Sequence, residues 1–165
     1  SLAELQEAVA TYVVRAAEKL RKQQQRAASL SVYTRTSPFV PAFYSRSAST
    51  HLDLPSNDTQ TLLNAALPLV ERIFQPHRQL AKAGVLMEHL QDTEQLQHHL
   101  LVPCSAAHLQ RRDTLMNTID GLNRRYGRGT VQWAACGLHS GWSMRRERLG
   151  RAATTRLSDV PVVQA

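Results

Sequence analysis

The chain has 165 residues, of which 42% are hydrophobic, 20% charged and 5% aromatic. This balance is typical of a globular protein and excludes a disordered one. No apolar run approaches the roughly 20 residues of a membrane helix, and two cysteines are too few for a disulfide framework but fit a reducing cytoplasm. The net charge of +7 favours a polyanionic partner such as nucleic acid, although an ordinary arginine-rich surface would carry the same charge.

The first half of the chain predicts a helix followed by two strands. Residues 1–26 place apolar side chains at steps of three and four, which indicates an amphipathic helix. Residues 30–37 and 47–54 alternate apolar and polar side chains, as half-buried strands do. The predicted buried side chains are Leu2, Leu5, Val9, Val13, Ala16 and Leu20 of the helix and Leu30, Val32, Thr34, Ala48, Thr50, Leu52 and Leu54 of the strands.

Residues 55–74 predict a second helix, with Ser56, Asn57 or Asp58 as its N-cap. Pro68 lies inside this helix and is expected to bend it. A third strand is predicted at 82–90. The order helix, strand, strand, helix, strand predicts an α+β fold in which two helices cover one face of an antiparallel sheet.

The remaining third is less regular. Periodicity fails after Gln91, and the spacing of five apolar residues then predicts a third helix that ends at Gly127. Residues 129–137 resemble a strand, and a basic tail follows. The five predicted helix-face residues are Leu109, Met116, Ile119, Leu122 and Tyr126.

Catalytic motifs are missing from the sequence. The acids are scattered singly, whereas a nucleotidyl-transfer site needs clustered carboxylates. No nucleophile motif occurs, and "GRGT" (127–130) is too short for a phosphate-binding P-loop. The group His98, His99, Cys104 and His108 matches no standard zinc spacing, and we expect the two tryptophans, Trp133 and Trp142, to pack rather than to stack on bases.

The predicted sheet leaves one polar face uncovered by the helices. Hydroxyl groups and an arginine are the groups that position a protein on phosphates without reading sequence. An ordinary solvated sheet face would look the same, so residue types alone leave both interpretations open. The face comprises Ser31, Tyr33, Arg35, Ser47, Ser49 and His51.

Several motifs resemble one protein family. "RAAEKLR" (15–21), "RTSPF" (35–39), "SAST.L" (47–52), "NAA" (64–66) and "HRQLAKAGV" (77–85) resemble the little-finger domain of UmuC-type Y-family translesion DNA polymerases. Further along, "D.LN...GRGT" (120–130), "W.M.R" (142–146) and "TTR.SD" (154–159) are similar to the small domain that follows the little finger in that family.

The resemblance implies a little finger at 1–91, a linker at 92–107 and an accessory domain at 108–165. It also implies that the chain is not an enzyme by itself and holds no cofactor or catalytic residue, because the family's metal-binding acids, which use Mg²⁺, belong to other domains. The family's little finger begins with one more strand, so we expect a sheet edge that this strand would otherwise cover.

The resemblance further implies a grip on both backbones of damaged template-primer DNA. The clamp-binding peptide of the family corresponds to Gln97, Leu100 and Leu101, where leucine replaces an aromatic anchor and weakens any hold on the sliding clamp. The implied DNA-binding residues are Tyr33, Arg35, Arg46, Ser47, Ser49 and Lys82.

The implied setting is the bacterial cytoplasm during the SOS response, with no membrane contact. Further partners would be the processed UmuD dimer, RecA and the sliding clamp. The main alternative is a protein-interaction module that binds these partners and contributes little to DNA binding. A free-standing basic regulator or a gene remnant is the third interpretation.

Overall fold

Up to residue 126, helices and strands follow one another in the order that the periodicity predicts. The computed structural model describes residues 1–39, 41–93, 106–138, 141–142, 150, 152, 155 and 157–161. Within them lie α1 (Leu2–Lys22), β1 (Gln25–Arg35), β2 (Ser45–Ser56), α2 (Thr59–Ile73), β3 (Lys82–Asp92) and α3 (Ala106–Tyr126). Two single turns of 3₁₀ helix follow, at Ala134–Cys136 and Leu157–Asp159.

The three strands form one antiparallel sheet in the order β2-β1-β3. Helices α1 and α2 cover one face of it, and their apolar stripes meet Leu30 and Val32 of the central strand β1. Alternation therefore divides β1 as predicted, and the α+β prediction is confirmed. The buried apolar residues are Leu5, Ala8, Val9, Ala10, Val13, Ala17 and Leu20 of α1, with Ala17 in place of the predicted Ala16, and Leu62, Leu63, Ala66, Leu69, Val70 and Ile73 of α2.

Helix α1 ends four residues earlier than the sequence predicts. It starts with a capping box, in which the hydroxyl of Ser1 accepts from the backbone N–H of Glu4. Its end is set by the sheet, because Arg26 and Ala27 pair with β3. Gln24 makes the reversal in a left-handed conformation, with φ of 55°. Pairing with a neighbouring strand outweighs the good helix propensity of these polar residues.

Helix α2 begins at the third of the three predicted caps. A side-chain oxygen of Asp58 accepts from the backbone N–H of Thr61 at 2.8 Å, which satisfies a donor that the helix cannot. Pro68 lies on the exposed side, and α2 continues past it to Ile73. A bend at this proline stays a prediction.

The strand expected at 129–137 is wrong. Residues 127–131 form a turn, and a 3₁₀ turn follows at Ala134–Cys136. The side chain of Asn123 accepts from the backbone N–H of Val131 at 2.9 Å and donates to its carbonyl at 3.0 Å. One amide group thus takes the two hydrogen bonds that a neighbouring strand would have supplied. Gly127 and Gly129 make the turn possible, with φ of 107° and 91°.

Ion pairs join helix α3 to the rest of the fold. The guanidinium of Arg21 donates to both carboxylate oxygens of Asp120, at 2.7 and 2.8 Å. Both side chains are largely buried, so water screens this pair little. Two further pairs join α3 to β1 and to the N-cap of α2, namely Arg26 with Asp113 and Arg112 with Asp58.

The helix α3 and its end before Gly127 are confirmed, but the apolar face predicted for it is only partly right. Met116 is buried and Leu109 and Ile119 are half-buried, whereas Leu122 and Tyr126 are exposed. The predicted set combined two sides of the helix, because the side turned to the fold also carries the ion-pairing Asp113 and Asp120, which a search for apolar spacing ignores. The domain division at residue 91 stays a prediction.

We expect the ion pair of Asp58 to make folding stability depend on pH. Burial raises the pKa of Asp58, but hydrogen bonds from Arg112 and Thr61 outweigh it and hold that pKa below its ordinary value. A carboxylate with a depressed pKa stabilises the fold above its unfolded pKa, near 3.9, and loses this contribution as the pH falls through the lower folded value.

The variant Asp58→Asn keeps a good helix cap but loses the charge. Its unfolding free energy, measured by urea denaturation, should lie below that of the original chain at pH 7, and the gap should close below about pH 4. Asp58→Ala also removes the cap and should cost about 1 kcal/mol more. A gap between Asp58→Asn and the original chain that does not change with pH would contradict the ion-pair contribution.

Candidate nucleic-acid interface

The face of the sheet turned away from α1 and α2 is built by strict alternation. Residues directly paired on neighbouring strands share a face, and Tyr33 pairs with Ser47 on one side and Gly84 on the other. We call this surface the open face. By their pairing, its members are Ser29, Ser31, Tyr33 and Arg35 of β1, Ser45, Ser47, Ser49 and His51 of β2, and Lys82, Gly84, Leu86 and Glu88 of β3.

Five of the six residues expected to bind DNA lie together on the open face. Arg35, at the end of the central strand, pairs with both Ser45 and Lys82. Arg46 is different, because it pairs with the fully buried Thr34 and so belongs to the opposite side of the sheet. The five residues on the open face are Tyr33, Arg35, Ser47, Ser49 and Lys82. The expected clamp-binding residues Gln97, Leu100 and Leu101 lie outside the described residues.

Tyr33 lies across the backbone of β3 at Gly84. A Cβ atom built on Gly84 would lie 2.5 Å from both Cζ and the hydroxyl oxygen of Tyr33. Only glycine therefore leaves room for the end of the Tyr33 ring at this place. Gly84 is not among the site residues predicted from the sequence, although a glycine inside a strand pattern indicates the close approach of another group.

The two ends of the open face differ in charge. Arg35 and Lys82 make one end cationic. Towards the other end, the hydroxyl of Ser31 donates to the carboxylate of Glu88 at 2.7 Å. The rings of His51 and His89 lie 6.0 Å apart beside it. An anion that contacts the sheet is therefore favoured at the Arg35 end, where like charges do not repel it.

The other candidate residues show packing rather than a site. Trp133 packs against the hydrophobic core, and Trp142 meets the ring of Tyr12 edge-on at 5.7 Å, as the packing interpretation predicts. Burial raises the pKa of the Cys136 thiol, which disfavours the reactive thiolate.

Metal-binding side chains do not converge in the described ranges. There, no three histidine, cysteine, aspartate or glutamate side chains are placed to hold an ion. His108 is exposed on α3, while His98, His99 and Cys104 lie outside those ranges. Of the helices that the structure describes, none has the length and apolarity to cross a membrane.

Comparison with known proteins defines the class of this fold. Residues 1–100 match the impB/mucB/samB family C-terminal domain, and residues 113–163 match a domain of unknown function, DUF4113. The chain belongs to the impB/mucB/samB family, which confirms the resemblance to the C-terminal region of UmuC-type proteins.

Similar proteins match along nearly the whole chain. Protein SamB of Salmonella typhimurium is 33% identical over 97% of the chain, and Protein UmuC of Salmonella typhimurium is 34% identical over 95%. Protein MucB of Escherichia coli is 34% identical over 98%. The chain spans 38%, 37% and 38% of these three relatives, so it corresponds to the smaller part of each.

A substitution at Gly84 tests the position of the Tyr33 ring. Gly84→Ala should force the ring off β3 and lower the free energy of unfolding by about 1 kcal/mol, because crowding a packed contact costs that much. In a Tyr33→Ala background the same substitution should lower the free energy of unfolding clearly less, because the clash is absent. Urea denaturation of the four chains measures the difference.

The matched control is Gly121→Ala in α3, where no atom outside its local surroundings lies within 4 Å of an added Cβ. Alanine there should stabilise the helix, because glycine is the weaker helix former by about 1 kcal/mol. Equal costs of Gly84→Ala with and without Tyr33 would contradict the described contact.

Proposed function

We propose that this chain is the DNA-holding, non-catalytic C-terminal region of a UmuC-type, SOS-induced translesion DNA polymerase. The observation that carries the proposal is the cationic end of the open face, where Tyr33, Arg35, Ser47 and Lys82 occupy adjacent positions on three strands. Cations and hydroxyl groups on a rigid sheet can bind several backbone phosphates at once. Membership in the impB/mucB/samB family supports the wider role.

The proposed grip is independent of base sequence. Asparagine and glutamine, which read adenine through paired hydrogen bonds, do not occur among the open-face residues defined above. Arg35 and Lys82 belong to residue types that can bind either guanine or phosphate, and the proposed grip uses them on phosphates. Serine hydroxyls can form hydrogen bonds with phosphates and with bases, so they discriminate little between base sequences. This chemistry suits a polymerase that must hold damaged template-primer DNA of any sequence.

In a complete polymerase, Mg²⁺ and the catalytic carboxylates would act in other domains. This chain would hold the template-primer in place while the reaction proceeds in those other domains, and by itself it would not polymerise. Arg46 lies on the opposite side of the sheet from Ser47, so we leave it outside the proposed surface.

The exposed side of α3 favours a second candidate, a surface for a protein partner such as processed UmuD, RecA or the sliding clamp. Leu115, Leu122 and Tyr126 are separated by seven and four residues, so they share one side of the helix. Their exposed fractions are 49%, 38% and 62%. Apolar side chains aligned in this way are typical of protein-binding surfaces, and the two roles can coexist because the stripe and the open face belong to different elements.

Two arginine variants test the DNA-holding role. Arg35→Ala should weaken binding of the chain to a labelled primer-template equally for unrelated sequences and reduce the salt slope of log Kd by about one for each lost phosphate contact. Arg46→Ala removes the same charge from the opposite side and should have a smaller effect. Fluorescence anisotropy across salt concentrations measures both.

Two outcomes would count against the proposal. Equal losses from Arg35→Ala and Arg46→Ala would mean that only net charge matters, and a loss that depends on DNA sequence would contradict a backbone grip. If the original chain binds no DNA at low salt, the protein-binding surface of α3 becomes the better candidate.

A further inference from the structure

We propose that Phe39 and Phe43, in the loop between β1 and β2, form a stacking site for unpaired bases of the DNA strand held by the open face. This inference rests on the proposed function and names the part of the DNA that the cationic end would meet. The first supporting observation is the exposure of these two phenylalanines. Phe39 is 94% exposed and Phe43 is 55% exposed, although both belong to a residue type that is usually buried.

The exposure of these two rings differs from that of the remaining phenylalanine. It contains three phenylalanines, and the third, Phe74, packs against the core at the end of α2. Two of the three therefore lie in one short loop and contribute little to the core. Exposed aromatic rings carry a cost in water that contact with a flat apolar partner can offset.

The loop has a defined base. The backbone N–H of Thr36 donates to the carbonyl of Tyr44, and the backbone N–H of Tyr44 donates to the hydroxyl of Thr36, both at 2.9 Å. Pro38 and Pro41 restrict the backbone between these ends. A loop closed in this way loses less conformational entropy on binding than a free one would.

The cationic side chains around the loop favour DNA over an apolar protein partner. The loop leaves β1 directly after Arg35, and Arg35 pairs with Lys82, so its base adjoins the cationic end of the open face. The guanidinium of Arg78 lies 4.5 Å from the centre of the Tyr44 ring on the same loop. The sequence holds no aspartate or glutamate between residues 19 and 52. Aromatic rings beside cations are the combination that binds single strands, with bases on the rings and phosphates on the cations.

Unpaired bases fit this site better than paired ones. In a duplex both faces of each base are covered by its neighbours, whereas a single strand can present a base face to an aromatic ring. Because every base has such a face, stacking adds affinity without sequence preference. The site would therefore bind template that has no complementary strand, next to the duplex that the open face holds.

The experiment compares three labelled probes with the full chain: an oligothymidine of about 12 nucleotides, an abasic strand of the same length and charge, and a duplex. The chain should bind oligothymidine about tenfold more tightly than the abasic strand. Phe39→Ala should remove most of this ratio and leave duplex affinity unchanged, while Phe39→Trp should keep it. Because Phe39 is exposed, neither substitution should change the Tm.

The outcomes separate this inference from the function on which it rests. Equal affinity of the chain for oligothymidine and the abasic strand would overturn the stacking site, and so would an equal loss on all three probes with Phe39→Ala. Either result, with the salt slope still reduced in Arg35→Ala, would leave the backbone grip standing and assign the loop to a protein contact. Failure of Arg35→Ala to weaken any probe would count against the grip itself.

Discussion

The organisation of this protein depends on a sheet that the two helices of its first ninety residues cover on one side only. Burial of Leu30 and Val32 under α1 and α2 fixes which way every other residue of β1 points, because successive side chains alternate between faces. A shift of one residue would expose the core and bury Tyr33 and Arg35, so the pairing register is strongly determined. The polar surface is thus a geometric consequence of the hydrophobic core.

A second constraint acts between α3 and the rest of the fold. Arg21 donates to Asp120, to the backbone carbonyl of Asn57 and to the hydroxyl of Thr59, so one side chain joins α1, the start of α2 and α3. Removing one partner of such a buried pair costs more free energy than formation of the pair gains, because an uncompensated buried charge remains. The contact therefore orients α3 more than it adds stability, and it leaves Leu115, Leu122 and Tyr126 of that helix exposed.

The candidate interface was largely predictable, for a specific reason. Alternation assigns Tyr33, Arg35, Ser47 and Ser49 to a polar face as soon as two strands are recognised, and the strands are readable because their apolar residues have a period of two. Arg46 shows the limit of inference by sequence position, since its neighbour Ser47 lies on the open face and it does not. The place of Gly84 under the Tyr33 ring required the pairing of β1 with β3, two segments about fifty residues apart.

The sequence by itself determined the element order as far as α3, the core faces of α1 and α2, the polar face of the sheet and the family, because these follow from local periodicity and from motifs. The tertiary structure decided what depends on distant partners. It ended α1 at Lys22 through sheet pairing, replaced the strand at 129–137 by a turn closed by Asn123, and turned α3 so that its acids face inward. An ion pair between residues 99 positions apart leaves no periodic signal in the sequence, and only folding brings its two charges together.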